Sequence, residues 1–166
     1  INGMVYIRGN ARDYDLWAQR GLTGWSYEDV LPYFRKAESN EREENKYHGT
    51  KGPLNVTEGG LNHDLYDAFV SAGIEAGYPS NDDFNGAQQE GVGRFQFTIK
   101  KGRRWSTAAA YLRPIRSRKN LTVKTNTNTR KIIFEGKRAT GIVINHEGVE
   151  GKVFANREII LSAGAI

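Results

Sequence analysis

Three histidines, at positions 48, 63 and 146, are the first candidates for proton transfer or metal ligation in this chain. Histidine can take and return a proton near neutrality, and its neutral ring ligates metals. Each of the three lies in or beside turn chemistry. None has a carboxylate or nucleophile at a spacing that builds a base or a triad, so they are read as structural or exposed groups. They are also too dispersed to promise a convergent ligand set, and no metal is expected. The chain contains no cysteine, which removes disulfides, thiolate metal sites and thiol nucleophiles from these residues. There is no G-x-G-x-x-G, P-loop, G-x-S-x-G or H-E-x-x-H pattern. Gly91-Val92-Gly93 lacks a third glycine and precedes a strand pattern, so it is not a nucleotide fingerprint.

Charge is patterned more sharply than the net +5 suggests. Residues 91–134 carry 12 basic and no acidic side chains, whereas residues 1–90 carry 8 basic and 15 acidic ones. An acid-free block of that size creates a positive field. The default expectation is a solvated face meeting acidic surface of the same fold; the sharper ones are a polyanion site or a wall facing an anionic cofactor. Single-strand nucleic-acid readers interleave aromatic and basic residues on one platform. Here Trp17, Trp25, Tyr27, Tyr33 and Phe34 all precede the basic block and read as core packing.

The elements that must position these groups follow from periodicity and capping. Asn10 can cap a helix over 11–20, which Gly21 stops. Ser26-Tyr27-Glu28-Asp29 reads as a capping box for a second helix, with Pro32 near its first turns. Residues 38–52 read as a charged surface loop, and Leu54-Asn55-Val56-Thr57 as a short strand. A third, amphipathic helix is predicted over 63–76, and the stretch 80–86 is turn chemistry. Val92 to Ile99 alternates as a strand, and 107–112 reads as a short alanine-rich helix. Leu121-Thr122-Val123 reads as a short strand. Hairpins are predicted from 132–134 into 139–144, and onward across 148–151 into Val153-Phe154-Ala155. Glu158 to Leu161, nearly uniformly apolar, is predicted to be a strand buried on both faces. Helices first and hairpins later give an α+β fold class. The 166 residues suit one domain or parts of two. No apolar run approaches the ~18 residues of a membrane-spanning helix.

Several ordered stretches go further. Ile1-Asn2-Gly3-Met4-Val5-Tyr6-Ile7-Arg8-Gly9-Asn10-Ala11-Arg12-Asp13-Tyr14-Asp15-Leu16-Trp17-Ala18 resembles the second half of the first signature of the glucose–methanol–choline (GMC) oxidoreductases, nearest their choline-dehydrogenase-like branch. Ile160-Leu161-Ser162-Ala163-Gly164-Ala165-Ile166 resembles the strand leading into the second signature. Between them Tyr47-His48-Gly49-Thr50-Lys51-Gly52-Pro53-Leu54, Asp83-Phe84-Asn85-Gly86 with Glu90-Gly91-Val92-Gly93, and Gly102-Arg103-Arg104-Trp105-Ser106-Thr107-Ala108 also match, as do Tyr111-Leu112-Arg113-Pro114, Asn120-Leu121-Thr122-Val123 and Phe134-Glu135-Gly136-Lys137-Arg138-Ala139.

This resemblance implies an internal fragment of a two-domain protein that joins a Rossmann-like FAD-binding part to a substrate-binding sheet. Residues 1–20 and 119–166 would belong to the FAD domain and 21–118 mainly to the substrate domain. The reaction implied is oxidation of an alcohol, with hydride passing from CH–OH to flavin N5. Asn2, Gly3 and Met4 are expected along the flavin, Thr129 near the adenine, and Ala163 and Gly164 at the turn passing the nucleotide. Some members attach FAD covalently through a histidine at the position of Ile1; isoleucine cannot, so FAD is expected to be non-covalent. The dinucleotide fingerprint is expected before Ile1 and the catalytic histidine, with its His or Asn partner, after Ile166. No catalytic residue is therefore assigned within 1–166, and the chain alone is expected to be inactive. The expected partners are a small alcohol and either oxygen or a quinone-type acceptor. The expected location is the cytoplasm or the inner face of a membrane, held peripherally. The alternative from charge alone is a basic module binding nucleic acid or an anionic surface.

Overall fold

A computed structural model describes residues 3–59 and 63–164. The chain forms two compact units, Ile1–Ser117 and Arg118–Ile166.

In the first unit, α1 (Ala11–Gln19) starts where the Asn10 side chain accepts a hydrogen bond from the Arg12 amide, and it ends before Gly21, whose φ is +95°. In α2 (Tyr27–Ala37) the Ser26–Asp29 capping box is formed. Pro32 lies inside that helix, beyond its first turn. The two helices meet through Tyr14, whose ring stands 5.3 Å from Trp17 and 5.9 Å from Phe34. Helix α2 runs directly into β1 (Glu38–Asn40), which pairs in parallel with β2 (Leu54–Val56). Thus the stretch expected as a surface loop starts as a buried strand. It buries Glu38, Asn40 and later His48 because each finds a polar partner there. The third helix, α3 (Asp64–Glu75), is capped by the His63 ring and buries none of its residues.

The strand expected over 92–99 is mostly absent. Only β3 (Ile99–Lys100) pairs with β4 (Arg103–Arg104), while Val92 and Phe97 make isolated bridges to Ser80, Val5 and Thr57. The neighbours of this stretch are turns and single extended residues, so its alternation finds no continuous ladder. Residues 108–112 form a wide π turn, followed by a 3-10 turn over Arg113–Ile115 containing Pro114.

The second unit is a three-stranded meander in which β5 (Thr127–Glu135) pairs with β6 (Arg138–His146), and β6 with β7 (Val149–Phe154), all antiparallel. Residues 121–123 are not a strand. Nor are 158–161: Ile160 is 78% and Leu161 69% exposed. An apolar strand buried on both faces needs a neighbour on each side, and among the described residues no strand pairs with this segment.

Candidate functional site

The first unit has an unusual interior. Its buried apolar side chains are Leu31, Val56, Ala109 and Ala110, and beside them lie buried Arg8, Glu38, Asn40, His48, Asn85 and Gln96. Buried polar groups persist only when paired, and here they are paired to one another around the segment that follows Gly3.

That segment is held first by backbone. The Tyr6 amide donates to the Gln96 carbonyl at 2.8 Å, and the Thr98 amide donates to the Met4 carbonyl at 2.9 Å. The Asn85 carboxamide then clasps it from the side. Its Oδ1 accepts from the Arg8 amide at 2.9 Å and its Nδ2 donates to the Tyr6 carbonyl at 2.8 Å. The Arg8 guanidinium turns inward, pairs with Glu38 and donates to the Tyr47 carbonyl at 2.6 Å.

His48 is fully buried at the centre of this arrangement. Its Nδ1 lies 3.1 Å from Glu38 Oε1 and its Nε2 lies 2.8 Å from Asp83 Oδ2. Asp83 in turn accepts from the Asn85 amide at 3.1 Å, and Glu38 accepts from the Gly49 amide at 2.9 Å. Burial disfavours the charged imidazolium, but hydrogen bonds and attraction from Asp83 and Glu38 outweigh it and raise the His48 pKa to about 9. Burial likewise opposes ionisation of the two acids. It is overcome by bonds from His48 and, at Glu38, by Arg8, so both carboxyls are held below their ordinary values. The result is a row of alternating charge, with Arg42 following beyond Asp83 at 4.0 Å. Gly49 is required because a Cβ there would run into the Arg35 carbonyl of α2.

The sequence showed no carboxylate partner for His48, and the fold supplies two. The signal was present only as two family-like stretches, Tyr47-His48-Gly49 and Asp83-Phe84-Asn85-Gly86, with nothing to say that they meet. His63 caps α3, and the His146 Nδ1 lies 2.9 Å from Thr127 Oγ1. Among the described residues no group of three or more His, Asp or Glu is placed to hold a metal ion.

Of the residues expected at a cofactor, Asn2 lies outside the described residues. Gly3 is exposed, and a Cβ built on it meets nothing within 4 Å. Met4 follows with φ +68°, an unusual value for a side-chain-bearing residue. Thr129 is an exposed residue of β5 opposite Ile144, and Ala163 and Gly164 are exposed in the irregular stretch after β7. Of the basic block, Arg94 pairs with Asp67 of α3, and the Lys100 ammonium lies 4.7 Å above the Trp105 ring centre.

A concavity of about 490 Å³ lies between α3 and residues 93–97 and is lined by Leu65, Tyr66, Phe69, Val70, Phe95 and Phe97. Its charged members are already engaged, Glu58 with Arg42 and Gln96, and Arg94 with Asp67. It therefore offers apolar surface with no uncommitted charge.

Known proteins share the sequence and fold of this chain. The model of the GMC oxidoreductase family matches residues 1–166. Mitochondrial choline dehydrogenase of Mus musculus is 49% identical over 166 residues, which is all of this chain and 28% of that protein. An oxygen-dependent choline dehydrogenase of Pectobacterium carotovorum is 53% identical over 169 residues, again all of this chain and 30% of the relative. Among solved structures, an FAD-dependent oxidoreductase from Chaetomium thermophilum aligns with a TM-score of 0.89 at 28% identity, covering 99% of this chain and 31% of the other. Pyridoxine 4-oxidase from Mesorbium loti aligns with a TM-score of 0.82 at 30% identity, covering 93% of this chain and 31% of the other. The chain spans about a third of the length of these proteins.

Proposed function

We propose, from the premise that this chain belongs to the GMC oxidoreductase family, that it is the part of an FAD-dependent alcohol oxidoreductase that presents backbone to the flavin. The substrate proposed is choline or a close relative. The single observation that carries this is that choline dehydrogenases match all of this chain at 49% to 53% identity, over 28% to 30% of their own length. The cofactor's part, when bound, is to take up at flavin N5 the hydride leaving the alcohol carbon.

This chain's part is positioning. The open space beside Gly3 fits close approach of a flat ring to backbone. The turn at Met4 is held from behind by Thr98, which fixes where that backbone stands. Asn2 is proposed to hydrogen-bond the ring. Exposed Thr129, Ala163 and Gly164 are proposed to line the nucleotide end through their backbone. In this assignment residues 1–20 and 119–166 serve the FAD domain and 21–118 mainly the substrate domain, in an α+β arrangement. Ile1 offers no ring nitrogen, so FAD is held non-covalently. The base that takes the hydroxyl proton is assigned to sequence outside residues 1–166. Oxygen or a quinone-type carrier is the proposed acceptor. Among the described residues no helix is long and apolar enough to cross a membrane, and any membrane contact proposed is peripheral.

Gly3→Val in the full-length protein probes cofactor contact, because a Cβ built on Gly3 meets no described atom within 4 Å. FAD titration is expected to show at least about tenfold weaker binding, roughly 1.4 kcal/mol, with an unchanged apo-protein unfolding midpoint. Wild-type protein should be yellow, and choline should bleach it without oxygen. A colourless wild type after reconstitution, or unchanged FAD affinity in the variant, would count against the proposal.

A further inference from the structure

Apolar burial holds the Gly3–Arg8 segment only in part. Val5 is 44% exposed and Ile7 42% exposed. What holds it laterally is polar and comes from distant sequence. One arm is Asn85, which bonds both the Tyr6 carbonyl and the Arg8 amide. The other arm is the Arg8 guanidinium, which enters the interior and pairs with Glu38. His48 joins the two arms. Through Nδ1 it meets the carboxylate that binds Arg8, and through Nε2 it meets the carboxylate that orients the Asn85 amide.

We propose that His48 is a positioning residue for the flavin: braced between Glu38 and Asp83, it sets the Gly3–Met4 backbone through Arg8 and Asn85. This rests on the reading that Gly3 and Met4 contact the flavin. His48 has no role in proton transfer, because both ring nitrogens are committed to carboxylates and the side chain has no exposure. A ring-contacting backbone must be held to a fraction of an ångström, and supporting shells of fixed hydrogen bonds do this. Paired opposite charges suit the task better than apolar packing, since each bond fixes direction as well as distance.

The groups facing His48 are Glu38 and Asn40 of β1, Asp83 from the 81–86 turn, and Arg8 from the segment itself. Replacing the imidazolium with a neutral amide removes the positive charge between the two carboxylates and leaves at most one of them bonded to position 48. His48→Gln in the full-length holoenzyme is therefore expected to weaken FAD binding about tenfold and shift the flavin visible spectrum. The pKa values governing kcat/KM should stay at their wild-type positions. If the unfolding midpoint falls while FAD affinity and spectrum stay unchanged, His48 is only structural and the proposal is overturned. Loss of a limb of the pH–rate profile also overturns it, by showing proton transfer. If the variant does not fold, wild-type hydrogen exchange decides. Exchange at the Tyr6 and Arg8 amides and the flavin spectrum should change together as pH rises through about 9, and a change in the amides alone overturns the proposal. A wild type that binds no flavin overturns both readings. A flavoprotein sensitive to Gly3→Val but not to His48→Gln overturns this one alone.

Discussion

Residues 1–117 and 118–166 are stabilised in opposite ways. The second unit is a ladder whose strands follow one another across two-residue loops, with Glu135 opposite Arg138 and His146 opposite Val149. The first has strands of two or three residues, several isolated bridges and a row of buried charges. Its key bonds span long stretches of chain, with Arg8 to Glu38 separated by 30 residues and Arg8 to Asn85 by 77. A local ladder tolerates change along its edges because each rung is one of many. A buried charge row does not, because removing one member strands its neighbours.

The most severe disruption of the contrast is Glu38→Gln. It leaves Arg8 and His48 buried with one carboxylate fewer, and breaking a buried pair this way costs about 3–5 kcal/mol. Urea unfolding followed by tryptophan fluorescence reads this directly, since Trp17, Trp25 and Trp105 all lie in the first unit. A loss below about 1 kcal/mol, the ceiling for an ordinary surface pair, would place the row in solvent-like surroundings and erase the distinction.

A second, intermediate effect is pH dependence. His48 has its folded pKa raised from 6.5 to about 9, so its contribution is complete below 6.5 and is lost as pH climbs through about 9. Glu38 and Asp83 have lowered values, so their contribution is present above the ordinary 4.5 and 3.8 and is lost as pH falls below them. The row thus stabilises the first unit most between about 4.5 and 6.5. All the ion pairs among the described residues lie in the first unit, so the β5–β7 ladder should hold across the same range. Amide exchange in β6 that rose together with loss of tryptophan signal would contradict that independence.

The smallest expected effect sharpens the other side. Glu147 and Gly148 form the β6–β7 loop with φ of +53° and +89°, a pairing suited to Asn-Gly. Glu147→Asn should leave stability unchanged or raise it by about 0.5 kcal/mol at most, measured by thermal unfolding. A marked loss would mean that the loop is set by something other than local turn chemistry.

The contrast also explains what could be read in advance. Both helix starts at Asn10 and Ser26, the α3 span and the β5–β6 hairpin were legible, because caps, 3.6-residue periodicity and turn residues act within a few positions; the second hairpin, expected to turn across 148–151, turns instead at Glu147-Gly148, and residues 149–151 already pair in β7. Residues 92–99 misled because alternation states which residues face one way, not whether a continuous partner strand is present. Residues 158–161 misled because a nearly uniform apolar run likewise does not say whether partner strands are present. The sequence puts His48 among structural or exposed histidines, and it is fully buried, but its two carboxylates are invisible there because sequence spacing carries no information about contacts 10 and 35 residues apart.

By itself, the sequence determined the family, the likeness of its opening and closing stretches to flavoprotein signatures, and the local elements. Only the tertiary structure decided that Arg8 turns inward, that Asn85 clasps the segment, and that His48 is locked between two acids. Capping and periodicity are short-range energies written in neighbouring residues, whereas the pairing of buried charges is chosen by which groups the folded chain removes from water together.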